Sequence, residues 1–347
     1  MLLWKDKIHK FVIRYSPEFT HHMKRFLFSI ITLLAVLDLA AQSGPEIITT
    51  HTEKDVIPEG ITINPANGTI YVSSIALQKI IAINNDGSHK DLIKSGQDGL
   101  LEGLGMKIDA KAQWLWVVSN KKQDDGYLSC VHAFDLKTGA VKQKYILKDT
   151  ARHLFNDLIL HPGGKLYITD TYDSSLYEVD PVREKLSLFV KDPLIAWPNG
   201  ITYNANGKVY IATYSHGLMQ LDLPSKKLSS LKGYTDSTKA YNLDGLVFWN
   251  NNIIGVYNGA ATNKGNAVVQ YSLNNGGDEI TGEKIIDKGN ELFHDPTTAA
   301  ILENKLYVLA NSYLGEYNAN KESAEGISDQ LGPVTVLVYE LSRNVKK

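Results

Sequence analysis

The chain has 347 residues, of which 43% are hydrophobic and 21% are charged, and this composition excludes an intrinsically disordered protein. Its formal net charge of −2 lacks the basic excess that nucleic-acid-binding and polybasic membrane-surface proteins carry. One cysteine, Cys130, excludes an intrachain disulfide framework and a thiolate zinc site. At about 150 residues per domain the length suggests two domains, although large β folds form longer single domains.

The N-terminal segment has the layout of a secretory signal peptide. Lys24 and Arg25 precede an apolar run at residues 26–37, and small residues close the segment at Ala40 and Ala41. The run is short for a bilayer span, which takes about 20 residues, and this favours a signal peptide over a membrane anchor or a buried helix. We therefore expect a leader over residues 1–41, with the signal peptide at about 23–41 and residues 1–22 upstream of the true start.

Removal of this leader changes the charge of the chain. Residues 1–41 hold six basic and three acidic residues, so the formal charge falls from −2 to −5 without them. A mildly acidic mature chain with one thiol and no stable membrane span fits a bacterial-type periplasm or the extracellular space. The sequence predicts a secreted or periplasmic protein.

The rest of the chain repeats one design, a short strand, a tight turn and a second strand. A third strand follows in most copies, and a fourth is visible at residues 186–190. The pairs Asn67-Gly68, Gly163-Gly164 and Asn206-Gly207 predict two-residue hairpin turns. The first strands of the six copies begin at or near Pro58, Leu104, Phe155, Pro198, Leu243 and Pro296.

A period of roughly 45–50 residues with four strands per repeat is typical of a β-propeller. A β-sandwich would not repeat one motif six times, and β-helix periods are far shorter. We therefore predict an all-β, six-bladed β-propeller with four antiparallel strands per blade, which forms a single domain over residues 45–342. The last blade is expected to close by pairing a strand at residues 334–341 with the segment at residues 46–50.

One position of the repeat carries oxygen-bearing side chains. It is placed just before each first strand, at a mouth of the central channel, and is occupied by Glu59, Leu104, Asn156, Asn199, Asp244 and Asp295-Pro296. Four of these residues supply two carboxylates and two amides that could converge on the axis, namely Glu59, Asn156, Asn199 and Asp244. Such a set suits one Ca²⁺, which takes 6–8 oxygen ligands, while Mg²⁺ and Mn²⁺ stay open and zinc is disfavoured.

The tripeptides at these positions resemble a known family. Pro-Glu-Gly (58–60), Phe-Asn-Asp (155–157), Pro-Asn-Gly (198–200) and Leu-Asp-Gly (243–245), in this order, look like the senescence marker protein (regucalcin)/gluconolactonase family. Its wider kin include the paraoxonases and the squid-type phosphotriesterase. Over about residues 45–342 the resemblance implies a six-bladed propeller with a divalent ion, usually Ca²⁺, on its axis. It also implies hydrolysis of sugar lactones, other lactones, esters or organophosphates.

The same resemblance assigns roles to the oxygen-bearing residues. It implies that Glu59, Asn199 and Asp244 are direct ligands and that Asn156 is a ligand or a substrate-binding neighbour. The sugar-lactonase branch typically has Arg two residues before the Asn-Asp pair, where this chain has Leu154. Leu154 and Phe155 make the approach more apolar, which argues against a gluconolactone-like substrate.

A hydrolytic mechanism follows as a hypothesis, in which the ion polarises a carbonyl and a base deprotonates water. Asp157 is the first candidate for the base, although strand alternation would point it away from Asn156. His294 and His153 are the other candidates, since histidine titrates near neutrality. A Gly-x-Ser-x-Gly nucleophile elbow is absent from the sequence. Aromatic residues that could wall the pocket are Phe155, Trp197, Tyr241 and Tyr313.

The leading hypothesis is an exported, metal-dependent hydrolase that acts on a small-molecule lactone or ester. The alternative is a non-catalytic propeller that binds a ligand or a protein around a structural ion, because propellers host many functions. A condensation of the strictosidine-synthase type ranks below both.

Overall fold

The computed structural model describes residues 44–50, 55–124, 126–233, 242–258, 265–320 and 331–342. The predicted leader and Tyr241 lie outside these ranges. Within them, no helix is long and apolar enough to cross a membrane.

The described strands form six four-stranded antiparallel sheets, which confirms the predicted all-β six-bladed propeller. The strands are β1 (Glu46–Thr49), β2 (Pro58–Ile63), β3 (Ile70–Ser74), β4 (Ile80–Ile83), β5 (His89–Ile93), β6 (Glu102–Asp109), β7 (Trp114–Gln123), β8 (Gly126–Asp135), β9 (Val141–Asp149), β10 (Phe155–Leu160), β11 (Leu166–Asp170), β12 (Ser175–Asp180), β13 (Lys185–Lys191), β14 (Pro198–Tyr203), β15 (Val209–Thr213), β16 (Gly217–Asp222), β17 (Lys227–Ser230), β18 (Leu243–Trp249), β19 (Asn252–Tyr257), β20 (Ala267–Leu273), β21 (Ile280–Lys288), β22 (Ala299–Leu302), β23 (Lys305–Leu309) and β24 (Thr335–Glu340). Short 3₁₀ helices occupy Gln97–Gly99 and Pro193–Ile195, and an α-helix spans Leu314–Asn320.

Five blades use four consecutive strands, and the sixth joins both ends of the described chain. Blades 1 to 5 start at β2, β6, β10, β14 and β18, whereas blade 6 has the strand order β1-β24-β23-β22. In blade 6, Ile48 of β1 lies opposite Val336 of β24 in an antiparallel register. This pairing confirms the predicted closure, and it satisfies backbone groups that an open sheet edge would leave unpaired.

The turns after the first strands differ from the prediction in blades 1, 3 and 4. Asn204 N donates to Lys208 O at 3.0 Å, so the blade 4 turn has three residues and ends on Gly207 with φ 77°. Blade 3 has an equivalent three-residue turn, and the blade 1 turn has four residues, since Asn64 N donates to Thr69 O. The predicted two-residue hairpins were wrong, because the Gly is the left-handed residue that ends a longer turn.

The first strands of the six blades pack side by side around the central axis, each against the first strands of its two neighbours. The hydrophobic core lies between the blades, as where Ile61 and Val72 of blade 1 meet Leu309 and Val336 of blade 6. Outer strands such as β13 are partly exposed. Residues near the start of a first strand are therefore placed around the central axis, next to the corresponding residues of the two adjacent blades.

A β-bulge interrupts the first strand of blades 1 to 5 at the same position. In blade 1, Pro58 pairs with Ser74 and Ile61 with Val72, so two residues of β2 lie opposite one residue of β3. The residue pairs at the five bulges are Glu59-Gly60, Leu104-Gly105, Asn156-Asp157, Asn199-Gly200 and Asp244-Gly245. The oxygen-bearing position is therefore inside the strand and not before it. A bulge turns a side chain out of the regular alternation.

Glycine at the second bulge position follows from the close approach of neighbouring first strands. A Cβ atom on Gly60 would lie 2.1 Å from Leu104 O, and one on Gly200 would lie 2.4 Å from Asp244 O. In both cases the neighbouring backbone occupies the place of a side chain. Asp157 is the one exception among the five bulges.

Candidate functional site on the propeller axis

The four predicted oxygen-bearing residues line one small buried cavity. All six blades contribute to its wall, so it lies on the propeller axis. Its volume is about 10 Å³, room for one water-sized particle or ion. The lining residues are Glu59, Gly105, Asn156, Asp157, Asn199, Asp244, Gly245 and Thr298.

Both asparagine side chains are held by their amide nitrogens. Asn156 Nδ2 donates to Thr171 Oγ1 at 3.1 Å, and Asn199 Nδ2 donates to the Tyr214 hydroxyl at 3.1 Å. Because these nitrogens are bound to the wall, the amide oxygens are the atoms left for a ligand in the cavity.

Three carboxylates line the cavity, and two of them, those of Glu59 and Asp244, are buried and poorly compensated. Oε2 of Glu59 has no hydrogen-bond partner among the described residues. Burial and the nearby charge of Asp244 raise the pKa of Glu59 well above its usual range. Burial also raises the pKa of Asp244 to about 7, although hydrogen bonds from Asn258 and Asn199 act in the opposite direction.

These features fit a hard divalent cation. The cavity is lined by three carboxylates and two side-chain amides, with no histidine or cysteine among its described lining residues, and oxygen ligands of this kind are those that Ca²⁺, Mg²⁺ and Mn²⁺ prefer. An unpaired buried carboxylate oxygen and two repelling acids are also what a cation would relieve. Glu59, Asn156, Asn199 and Asp244 are thus the residues that would hold the ion.

Asp157 lies at the same cavity, because the bulge breaks the alternation that would turn it away from Asn156. Both of its carboxylate oxygens accept hydrogen bonds. Oδ1 accepts Leu158 N at 2.8 Å and lies 3.4 Å from Lys107 Nζ, while Oδ2 accepts Ile201 N at 3.2 Å. The sequence argument assumed regular strand alternation, which would point Asp157 away from Asn156, and it was wrong because a bulge interrupts the strand here.

A larger cleft of about 560 Å³ shares its floor with the axial cavity. The shared residues are Glu59, Asn156, Asn199 and Asp244. The remaining lining residues are Ile75, Glu102, Leu104, Leu154, Thr171, Tyr172, Tyr214, Asn258, Asp295, Leu314, Gly315, Tyr317 and Asn318. Asp295 Oδ2 accepts Gly315 N at 2.9 Å, which ties the helix Leu314–Asn320 to the start of blade 6.

His153, a predicted base, is buried and lies outside the described lining of the cavity and the cleft. Its Nδ1 is 2.5 Å from Asp170 Oδ2, and burial raises the pKa of Asp170. With Asp173 these residues form a possible acidic metal site, since their ligand atoms lie within 4.8 Å of one another. Lys191 already pairs with Asp173, however, and Asp170 Oδ1 accepts Leu154 N at 2.9 Å. We interpret this cluster as an anchor for the start of β10.

Three further predicted residues also lie outside the described lining of both spaces. His294 is exposed and stacks on Tyr313 at 5.0 Å. Phe155 is fully buried in the core against Tyr177, so its position does not support a substrate contact. Trp197 is half exposed and packs edge-on against Tyr172, which does line the cleft, so Trp197 lies at the rim.

Sequence reasoning missed several residues of the site. Blade 6 contributes Thr298 to the axial cavity, whereas Asp295 lines only the cleft. Thr171 and Tyr214 hold the two amides, and each directly follows the second strand of its blade. Neither belongs to a pattern that repeats along the sequence. The Asn-Asp pair at 156–157 was detectable, since the other three oxygen-bearing positions are followed by glycine.

Comparisons with known proteins agree with this architecture. The family model of the SMP-30/Gluconolactonase/LRE-like region matches residues 57–280, more than half of the chain. The fold resembles a calcium-binding protein, regucalcin, from Agrobacterium tumefaciens at 19% identity and TM-score 0.54, covering 87% of this chain and 97% of that one. It also resembles a Xanthomonas campestris gluconolactonase at 13% identity and TM-score 0.54, covering 85% and 94%.

Virginiamycin B lyase from Staphylococcus aureus shares the fold as well, at 16% identity and TM-score 0.55, with 76% of this chain and 80% of that chain covered. No curated protein sequence matches this chain. At these identities the structural likeness establishes the fold alone.

Proposed function

The chain belongs to the SMP-30/gluconolactonase/LRE-like family, and from this premise we propose that it is an exported, calcium-dependent hydrolase of lactones or related esters. One observation carries the proposal. Four oxygen-bearing side chains from four blades line a cavity large enough for one ion, and the same four form the floor of an open cleft. A substrate in the cleft would meet the ion from one side.

A divalent ion in this position supplies Lewis-acid polarisation of a carbonyl oxygen. The residues of the chain supply the rest. Asn156 and Asn199 are held in place by Thr171 and Tyr214, so their oxygens need no reorganisation when a ligand arrives. Asn258 donates to Asp244 and orients that carboxylate in the same way.

Two further carboxylates, those of Asp157 and Asp295, are our candidates to act on the attacking water. Asp157 borders the axial cavity, but its oxygens already accept two backbone N–H groups and face Lys107, which suits an orienting role. Asp295 lines the cleft, and its Oδ2 accepts one backbone hydrogen bond from Gly315. We infer that Asp295 takes the proton of water and that Asp157 orients the floor of the site.

The test is a panel of lactones and aryl esters, assayed with added calcium and with a chelator. We expect turnover that calcium restores after chelation, and a fall in kcat of at least about 100-fold in Asp295→Asn, typical of a lost general base. Glu184→Gln, in an exposed turn of blade 3, is the control and should keep full activity. Calcium binding without turnover of any substrate would instead favour the non-catalytic ligand-binding propeller.

Export is supported by the basic residues, apolar run and small residues at 23–41. Expression of the full chain in a bacterial host, followed by fractionation and N-terminal sequencing, tests this part of the proposal. We expect a product that begins near residue 42 outside the cytoplasm. An uncleaved chain in the cytoplasmic fraction would overturn it.

A further inference from the structure

The cleft above the axial cavity has two chemically different halves. Its floor consists of carboxylate and amide oxygens, whereas much of its wall is apolar or aromatic. The apolar and aromatic residues on one side of the wall are Ile75, Leu104, Leu154, Tyr172, Leu314 and Tyr317, while polar side chains such as Glu102, Thr171 and Asn318 line the rest. Among the described residues, no Lys, Arg or His lines this cleft.

The apolar wall is continuous with the hydrophobic core. Ile75 and Leu104 are buried members of the core cluster that fills blades 2 and 3, and Leu154, Leu314 and Tyr317 pack against that cluster while still partly exposed. The wall is therefore fixed by packing from behind. A preformed apolar surface binds an apolar group without first paying the entropy of ordering it.

The charges around the cleft have one sign. Glu59, Glu102, Asp244 and Asp295 border it, and a divalent cation on the floor would offset only part of their charge. The nearby Arg152 lies outside the described lining, with its guanidinium 4.3 Å from the centre of the Tyr172 ring. An anionic substrate would meet carboxylates, and the described lining offers no cationic side chain to pair with it.

We propose that the substrate is an uncharged lactone or ester that carries an alkyl or aryl group, which lies against the wall formed by Leu104, Leu154, Leu314 and Tyr317. The inference rests on the proposed hydrolase function and narrows its substrate class. Sugar hydroxyls against this wall would lose hydrogen bonds to water without replacement, whereas an alkyl chain gains by leaving water.

The reaction also fits this charge pattern. Water adds across the acyl C–O bond, the bond breaks, and a lactone gives one hydroxy acid that releases its proton at neutral pH. The product is then an anion in a cleft bordered by carboxylates, and repulsion favours its departure.

Binding of hydrolysis-resistant lactams tests the substrate class separately from catalysis. Calorimetry on the calcium-loaded protein would compare a five-membered lactam, the same lactam with a hexyl chain, and a polyhydroxylated sugar lactam. Each buried methylene gives at most about fourfold in affinity. We expect the hexyl compound to bind at least about 10-fold tighter than the parent and the sugar lactam to bind no tighter than the parent.

Variants of the helix Leu314–Asn320 test whether the alkyl chain binds against this part of the wall. Leu314→Ala and Tyr317→Ala should each weaken the hexyl lactam at least about threefold and leave the parent lactam unchanged. Glu316→Gln, an exposed neighbour that is not in the described lining, should change neither. If a helix variant fails to fold, Leu154→Thr is the substitute, since Leu154 directly precedes the first strand of blade 3 and lies outside this helix. It should weaken binding of the hexyl lactam in the same way.

Equal binding of the parent and hexyl lactams, tighter binding of the sugar lactam, or no binding of any of them would overturn the inference. Since lactams are not hydrolysed, a preference for the hexyl compound without turnover of the matching lactone would contradict the proposed hydrolase function alone.

Discussion

The axial cavity and the cluster of His153, Asp170 and Asp173 both gather acidic side chains, but they compensate the charge differently. In the cluster, each acid has a partner within the chain, since His153 and Leu154 N bind Asp170, and Lys191 binds Asp173. In the cavity, one buried oxygen of Glu59 accepts no hydrogen bond from the described part of the chain, and the pKa of Glu59 is raised by burial and by Asp244.

This difference shows why the spacing of ligand atoms alone does not identify a metal site. The ligand atoms of the cluster lie within 4.8 Å of one another, yet both acids already have hydrogen-bond or ion-pair partners. The axial cavity leaves two acids whose compensation must come from protons or from a cation. The comparison favours the axis over the cluster as the site of the proposed calcium ion, and variants that replace a carboxylate with an amide can test this.

The largest effect is expected from Asp244→Asn at the axial cavity. The change removes one of the cavity's three carboxylates while keeping the shape of the side chain, so calcium affinity should fall by more than the roughly 10-fold to 100-fold typical of residues around metal ligands. Titration calorimetry with calcium measures this affinity. In chelator, the variant should melt at a higher temperature than the wild type, because a buried repulsion is gone. An unchanged calcium affinity would move the site off the axis.

Asp170→Asn, in the cluster of His153, Asp170 and Asp173, should lower stability and leave calcium affinity unchanged. It removes the charge beside His153, so we expect a loss of about 1–3 kcal/mol in the free energy of unfolding, measured by urea denaturation. Calcium affinity should stay at the wild-type value. A large loss of calcium binding with normal stability would show that the cluster, and not the axis, holds the ion.

The smallest effect is the pH dependence of stability without calcium. The pKa values of Glu59 and Asp244 are raised in the folded state, so the folded protein binds more protons than the unfolded chain between the ordinary carboxyl pKa, about 4, and about 7 for Asp244. Stability from these groups must therefore fall as pH rises through this window.

We expect the melting temperature in chelator to decrease between about pH 5 and about pH 8, and to decrease less in Asp244→Asn. Added calcium should remove most of the difference in pH dependence between the wild type and Asp244→Asn. The same slope in both proteins would mean that Asp244 does not titrate in this window.

The repeat made much of the fold predictable. Six copies of one strand pattern gave the blade number, and the terminal strands near Ile48 and Val336 indicated the closure that the structure contains. Turn lengths were not predictable from Asn-Gly and Gly-Gly pairs, because a left-handed Gly ends two-residue and longer turns alike.

The candidate site was predictable only where it follows the repeat. Glu59, Asn156, Asn199 and Asp244 share one position of the repeat and reach one cavity. His294 and Trp197 were proposed from residue type, and the structure places both outside the described lining. Residue type says what a side chain can do, whereas packing between blades decides where it points.

The sequence by itself determined the propeller and the ring of oxygens, because both depend on a local pattern that recurs once per blade. Tertiary structure alone decided that Asp157 turns to the axis at a bulge and that Thr298 completes the cavity from blade 6. It also decided that Leu314 and Tyr317 wall the cleft. These placements depend on contacts between strands and blades far apart in the chain, which no local pattern of residues encodes.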